Sequence, residues 1–101
     1  MNVVKLLMGW NLIPGLENEY FEFFTKEFEP ALEELGLQAT DMWYTAYGEG
    51  PQILTGIVAE DLITARRILA SERWLRLKER LLEFVTDYQQ KIIPASGGYQ
   101  L

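Results

Sequence analysis

The stretch VVKLLMGWNL, residues Val3 to Leu12, decides how this 101-residue chain begins to fold. It is apolar and rich in strand-forming residues, and the turn signal Pro14-Gly15 follows it, so it predicts a β-strand. Both alternating faces of this strand are largely apolar, with Val4, Leu6, Met8, Trp10 and Leu12 on one and Val3, Lys5, Leu7, Gly9 and Asn11 on the other. A strand of this kind is typical of the centre of a sheet covered on both sides.

Hydrophobic periodicity and turn residues predict the remaining elements. Asp61 and Ser71 are placed to cap two helical segments, and Pro30, which lacks an N–H, predicts a kink or a restart of the first helix. Residues 48–51 are predicted to form a hairpin loop, and residues 95–101 are expected to be a mobile tail. The predicted elements are strand one (Val3 to Leu12), helix one (Leu16 to Leu35), strand two (Gln38 to Tyr47), strand three (Gln52 to Ala59), helical segments Leu62 to Ala70 and Glu72 to about Val85, and strand four (Tyr88 to Ile93).

This βαββαβ order predicts an α+β, ferredoxin-like fold in one domain that spans residues 1–101. The sheet is expected to be antiparallel in the order four-one-three-two, with strand two at an edge and both helical regions on one face. Strands one and three are nevertheless apolar on both faces, and such a surface does not stay exposed to water. We therefore expect a homodimer that packs through its sheet faces.

Composition excludes several classes of function. The net charge of −6 and the pI of about 4.6 argue against nucleic acid and anionic membranes as partners. The chain contains no His and no Cys, so the commonest haem and transition-metal ligands are missing and no cofactor is expected. Nothing resembles a signal peptide or a membrane-spanning segment, which predicts a cytoplasmic protein.

The chain resembles the dimeric α+β barrel superfamily along nearly its whole length. The resemblance lies in the strand that ends at Pro14-Gly15, Glu29-Pro30 near the end of helix one, Leu35-Gly36-Leu37, the restart Ser71-Glu72-Arg73-Trp74, and the last strand. It is similar to antibiotic-biosynthesis-monooxygenase-like members. The resemblance implies two sheets packed face to face and a ligand cavity between each sheet and its helices. The haem-degrading branch of the superfamily needs an axial His, which this chain lacks.

The resemblance also suggests a candidate site. Monooxygenases of the superfamily commonly hold substrate or oxygen with an Asn on strand one and a Trp on the second helix, which here implies Asn11 and Trp74. Trp10 adjoins Asn11, but in a regular strand only one of the two points towards the helices. The alternative is that both tryptophans fill the core and Asn11 is a turn residue at the strand end.

Strand two supplies three further ligand-binding candidates, Trp43, Tyr44 and Tyr47, with Tyr44 on the opposite face from the other two. They fit an aromatic-binding pocket, but they fit a dimer interface equally. Asp41 is a candidate base if it faces an apolar cavity, which would raise its pKa. Alternatively, it points outward and its charge prevents unwanted pairing of an edge strand.

Two classes of function therefore remain open. The first class uses the cavity between sheet and helices. Its member is either a homodimeric protein without an assignable activity that binds a small apolar or aromatic molecule there, or a cofactor-independent monooxygenase or isomerase of an aromatic or lactone substrate. The other is a non-catalytic homodimeric module whose own side chains fill that space.

Overall fold

A computed structural model of the protein describes residues 3–45 and 50–94. Within these ranges four strands form one antiparallel sheet in the order β2-β3-β1-β4, which confirms the predicted α+β topology and the edge position of strand two. The elements are β1 (Val4–Leu12), α1 (Glu17–Phe23), a π-helical turn (Phe24–Phe28), α2 (Glu29–Glu34), β2 (Gln38–Tyr44), β3 (Ile53–Ala59), α3 (Leu62–Leu69), α4 (Glu72–Leu81) and β4 (Val85–Pro94).

The first helical region changes its winding immediately before Pro30. The π-helical turn Phe24–Phe28 joins α1 to α2, and α2 starts at Glu29, so the predicted restart is confirmed. A π turn is wider than an α turn, which relieves the clash between the proline ring and the carbonyl one turn earlier. It also turns both Phe24 and Phe28 into the core.

The chain returns to the sheet earlier than the sequence predicts. The helix that was predicted to reach about Val85 ends at Leu81, and Val85 begins β4 opposite Leu12. A β-bulge then places two residues opposite Trp10, one of them Asp87 with a left-handed φ of 56°. This bulge interrupts the alternation of side chains, which is why the predicted strand began only at Tyr88.

The helices cover one face of the sheet and leave the other open. Alternate residues of β1 and β3 on the covered face join the aromatic residues of the first helical region and Trp74 and Leu81 of α4 in one hydrophobic core. The sheet face opposite the helices is called the open face below. Its central members are Lys5, Leu7, Gly9, Asp41, Trp43, Leu54, Gly56, Val58 and Ile93.

The predicted end of strand two and the predicted tail fall on residues that the structure does not describe. Residues 46–49, which include Tyr47, and residues 95–101 lie outside the described residues.

Candidate functional site

Trp10 is at the centre of an aromatic cluster between the sheet and the helices. Its indole Nε1–H donates a 3.0 Å hydrogen bond to the hydroxyl of Tyr20. The edge of Phe28 meets the indole at 6.0 Å between ring centroids, and Tyr88 is stacked on it at 6.0 Å with 8° between the planes. The side chain has 0% exposure, so none of its atoms touches a space that water can enter.

Trp74 of α4 contacts this cluster through Phe28. The two rings meet edge to face at 6.2 Å, and Trp74 is 1% exposed. Its position is fixed because its backbone N–H donates to Oγ of Ser71, the residue that caps α4. The structure thus brings Trp10 and Trp74 together through Phe28, and both are packed core residues in this geometry.

The two tyrosines of the cluster have raised pKa values because they are buried. Burial raises the pKa of Tyr20, against a smaller opposing effect of its hydrogen bond from Trp10. Burial also raises the pKa of Tyr88, whose hydroxyl donates to Oε1 of Gln90 at 2.7 Å. Both phenols therefore stay protonated and neutral at physiological pH.

Thr55 is the one unsatisfied polar side chain buried among the residues that the structure describes. Its Oγ1 has no hydrogen-bond partner, and the residue has 0% exposure. It lies on the covered face between Met8 of β1 and Met42 of β2. The sequence carried a signal for it, because the alternation of β3 places Thr55 on the same face as Ile53 and Ile57.

Asn11 points away from the helices, since its neighbours Trp10 and Leu12 are both in the core. Its Oδ1 accepts from the backbone N–H of Gln52 at 2.9 Å, and its Nδ2 donates to Asp87 at 2.9 Å. These bonds tie the ends of β1, β3 and β4 together. Asn11 and Trp74 therefore lie on opposite sides of the sheet, and the structure does not bring this predicted pair together.

The aromatic residues of β2 also divide between the faces. Trp43 is paired with Leu54 on the open face and is 39% exposed, whereas Tyr44 is paired with Ile53 on the helix side and is 63% exposed. Tyr47, the third candidate, is outside the described residues. Asp41 lies on the open face, where its carboxylate accepts from Lys5 Nζ at 3.2 Å.

A depression of about 240 Å³ opens on the sheet face opposite the helices. At its border, Pro51 packs directly against Gly9 of β1, since a Cβ at Gly9 would meet Pro51 Cγ at 3.0 Å. Such a close approach explains a glycine in the middle of a central strand. The lining residues include Leu7, Gly9, Pro51, Leu54, Gln89 and Lys91.

Residues 3–45 and 50–94 lack two further kinds of feature. No group of three or more carboxylate side chains is gathered so that it could hold a metal ion. Among the described helices none is long and apolar enough to cross a membrane.

Comparison with solved structures identifies the fold. No protein-family model and no curated protein matches the sequence. A NIPSNAP-like domain protein from Burkholderia xenovorans superposes with a TM-score of 0.68 at 19% identity, covering 99% of this chain and 90% of that one. A second NIPSNAP domain protein from the same organism gives 0.65 at 12% identity, with coverage of 97% and 98%.

A third similar structure is described as a dimeric protein of unknown function with a ferredoxin-like fold, from Bacteroides fragilis. It gives a TM-score of 0.61 at 14% identity and covers 91% of this chain and 95% of that one. The chain therefore has a ferredoxin-like α+β fold, and its structural neighbours are NIPSNAP-family and ferredoxin-like proteins.

Proposed function

We propose that the chain functions as a homodimeric module in which two copies pack through the open faces of their sheets. The observation that carries the proposal is that this face is apolar at its centre and that none of the helices in residues 3–45 and 50–94 covers it. Leu7, Leu54 and Val58 are only half-buried there, and Trp43 is exposed. Covering these side chains with a second copy removes apolar surface from water, at about 25 cal/mol per Å².

The distribution of charge favours the same face. Each copy carries a net charge of −6, so two copies repel each other least when they meet where acidic side chains are few. Among the described residues, the carboxylates on the open face are Asp41, which is paired with Lys5, and Asp87, which is hydrogen-bonded to Asn11. The other described acidic residues lie on the helices and loops.

The Bacteroides fragilis protein supports this proposal, because it is described as dimeric and has the same fold. The packed state of Trp10 and Trp74 also favours a module over an enzyme that binds its substrate between sheet and helices. An oxygenase or isomerase needs a polar group that faces an accessible space. Asn11 lies across the sheet from Trp74, so we assign no reaction to this pair.

Sedimentation equilibrium of the Leu54→Asp variant tests the proposal. The wild type should have twice the monomer mass at micromolar concentration, and the variant should be a monomer because two buried carboxylates would face each other. The matched control is Leu75→Asp on the exposed side of α4, which should remain a dimer. A monomeric wild type, or a monomeric control beside a dimeric Leu54→Asp variant, would contradict the proposal.

A second candidate function is the binding of a small apolar or aromatic molecule on the helix side of β2. The hydroxyl of Thr55 is unpaired and lies beside the flexible side chain of Met42. Met42 and Tyr44 are both exposed on that side, which also favours this site. A ligand that displaced the Met42 side chain would reach the hydroxyl. Titration with indole, followed by NMR, should shift the resonances of these three residues first, and their insensitivity to indole would exclude this site.

A further inference from the structure

We propose that Trp43 of each copy inserts into the open-face depression beside Gly9 of the other copy. This inference rests on the proposed dimer and names the side chain and the cavity that hold it together. The depression holds about 240 Å³, below the range of about 300–1,000 Å³ that is usual for small-molecule sites. It is suited to a single large side chain of a protein partner.

Trp43 is the side chain on the same face that fits such a cavity. It is the exposed member of the three tryptophans, since Trp10 and Trp74 are 0% and 1% exposed whereas Trp43 is 39% exposed. Tryptophan is enriched among the residues that dominate binding energy at interfaces, and such residues typically occupy pockets on the partner. In the isolated chain this indole remains partly in water on a face whose centre is apolar.

The positions of the indole and the depression agree with two-fold symmetry. Trp43 is opposite Leu54 in the sheet register, and Leu54 is opposite Gly9, so the indole and the depression are two strands apart in one row. Neighbouring strands are about 4.8 Å apart, which separates them by about 10 Å. A two-fold axis that passes above Leu54 exchanges the two positions, so that each indole lies over the partner's depression.

The chemistry of the depression suits an indole. Leu7, Pro51 and Leu54 provide apolar walls, and the Pro51 ring packs closely over the buried backbone of Gly9. The side-chain amide of Gln89 on β4 lies at the rim, where it is available to accept from the indole N–H. The Lys5–Asp41 pair keeps its own hydrogen bond within one copy, so the interface need not supply partners for these charges.

Acrylamide quenching of the wild-type protein tests the inference without any substitution. Trp10 and Trp74 are buried, so quenching reports on Trp43. Its quenching constant should fall several-fold as the protein concentration rises through the dimer dissociation constant, which sedimentation measures on the same samples. A dimer in which Trp43 stays as accessible as in the monomer would overturn this inference and leave the proposed dimer intact, whereas a protein that stays monomeric would overturn both.

Two variants separate the indole from the depression. Trp43→Ala removes the indole, and Gln89→Trp fills the depression with an indole of the same chain. Each should weaken the dimer at least about 30-fold, the effect expected of one interface hot spot. The control is Leu75→Ala on α4, which should leave the dissociation constant unchanged. Wild-type affinity in both variants, with circular dichroism showing the native fold, would refute the insertion.

Discussion

Thr55 shows how one side chain can conflict with its surroundings. A buried hydroxyl without a partner costs about 1–3 kcal/mol, and no atom of the described residues forms a hydrogen bond with the Thr55 hydroxyl. Thr55→Val keeps the shape and removes the hydroxyl, so the free energy of unfolding should rise by about 1–2 kcal/mol. Urea denaturation measures this, with Thr86→Val, an exposed position of β4, as the control that should change by less than about 0.5 kcal/mol. A less stable Thr55→Val protein would show that the hydroxyl has a partner in solution.

Trp74 provides the opposite case, a residue whose whole surface is matched by its neighbours. Because it is 1% exposed and packs against Phe28, Trp74→Ala should leave a void and lower the free energy of unfolding by about 3–5 kcal/mol. Leu75→Ala, next to it on the exposed side of α4, should cost far less. A small loss at Trp74 would instead indicate that the indole is the wall of a ligand pocket.

The caps of α3 and α4 differ in their response to acid. The Asp61 carboxylate caps α3 by accepting from the Thr64 N–H at 2.7 Å. This hydrogen bonding lowers the pKa of Asp61 below its usual value. The cap of α4 is the hydroxyl of Ser71, which does not titrate. Since the folded pKa is lower than the unfolded one, the cap's contribution is present above about pH 4 and is lost as the pH falls through the folded pKa.

Asp61→Ser tests this, because serine can cap the helix without a charge. The thermal midpoint of the wild type should exceed that of the variant by more at pH 6 than at pH 3. An equal difference at both values would show that the carboxylate contributes no charge-dependent capping.

At the level of elements, the sequence predicted what depends on periodicity and missed what depends on local departures from it. The βαββαβ order of elements predicted the sheet order, and the apolar residues on both faces of Val3 to Leu12 and of β3 predicted that these two strands are central. The bulge at Asp87 could not be predicted, because a non-glycine residue with a φ of 56° leaves no compositional signal. The π turn was visible only indirectly, through Pro30.

The candidate site was less predictable than the fold for a related reason. Alternation showed that Trp10 and Asn11 face opposite ways, and the structure assigns Trp10 to the core. Whether an indole fills or lines a space depends on how Tyr20, Phe28 and Tyr88 pack around it, and these residues come from three separate elements. A role for Trp10, Asn11, Trp43, Tyr44, Tyr47 and Trp74 in ligand binding stays a prediction.

The charge of the whole molecule determines how salt should act on the proposed dimer. Each copy carries −6, and its described carboxylates lie mainly on the helices, outside the proposed interface. The two copies therefore repel each other over a distance that mobile ions screen, with a Debye length of about 10 Å at 0.1 M salt and about 3 Å at 1 M. An interface closed by apolar side chains gains nothing from its own charges, so salt should remove only the repulsion.

Raising sodium chloride from low to high concentration should therefore tighten the dimer, as measured by its dissociation constant in sedimentation equilibrium. The control is the double variant Lys5→Met/Asp41→Asn, which removes the ion pair of the open face and keeps the net charge at −6, since one positive and one negative charge are lost together. It should show the same salt dependence as the wild type, because the effect arises from net charge. If salt weakened the wild-type dimer and the double variant lost that response, the copies would be held together by exchanged Lys5–Asp41 pairs and not by the apolar surface around Leu54.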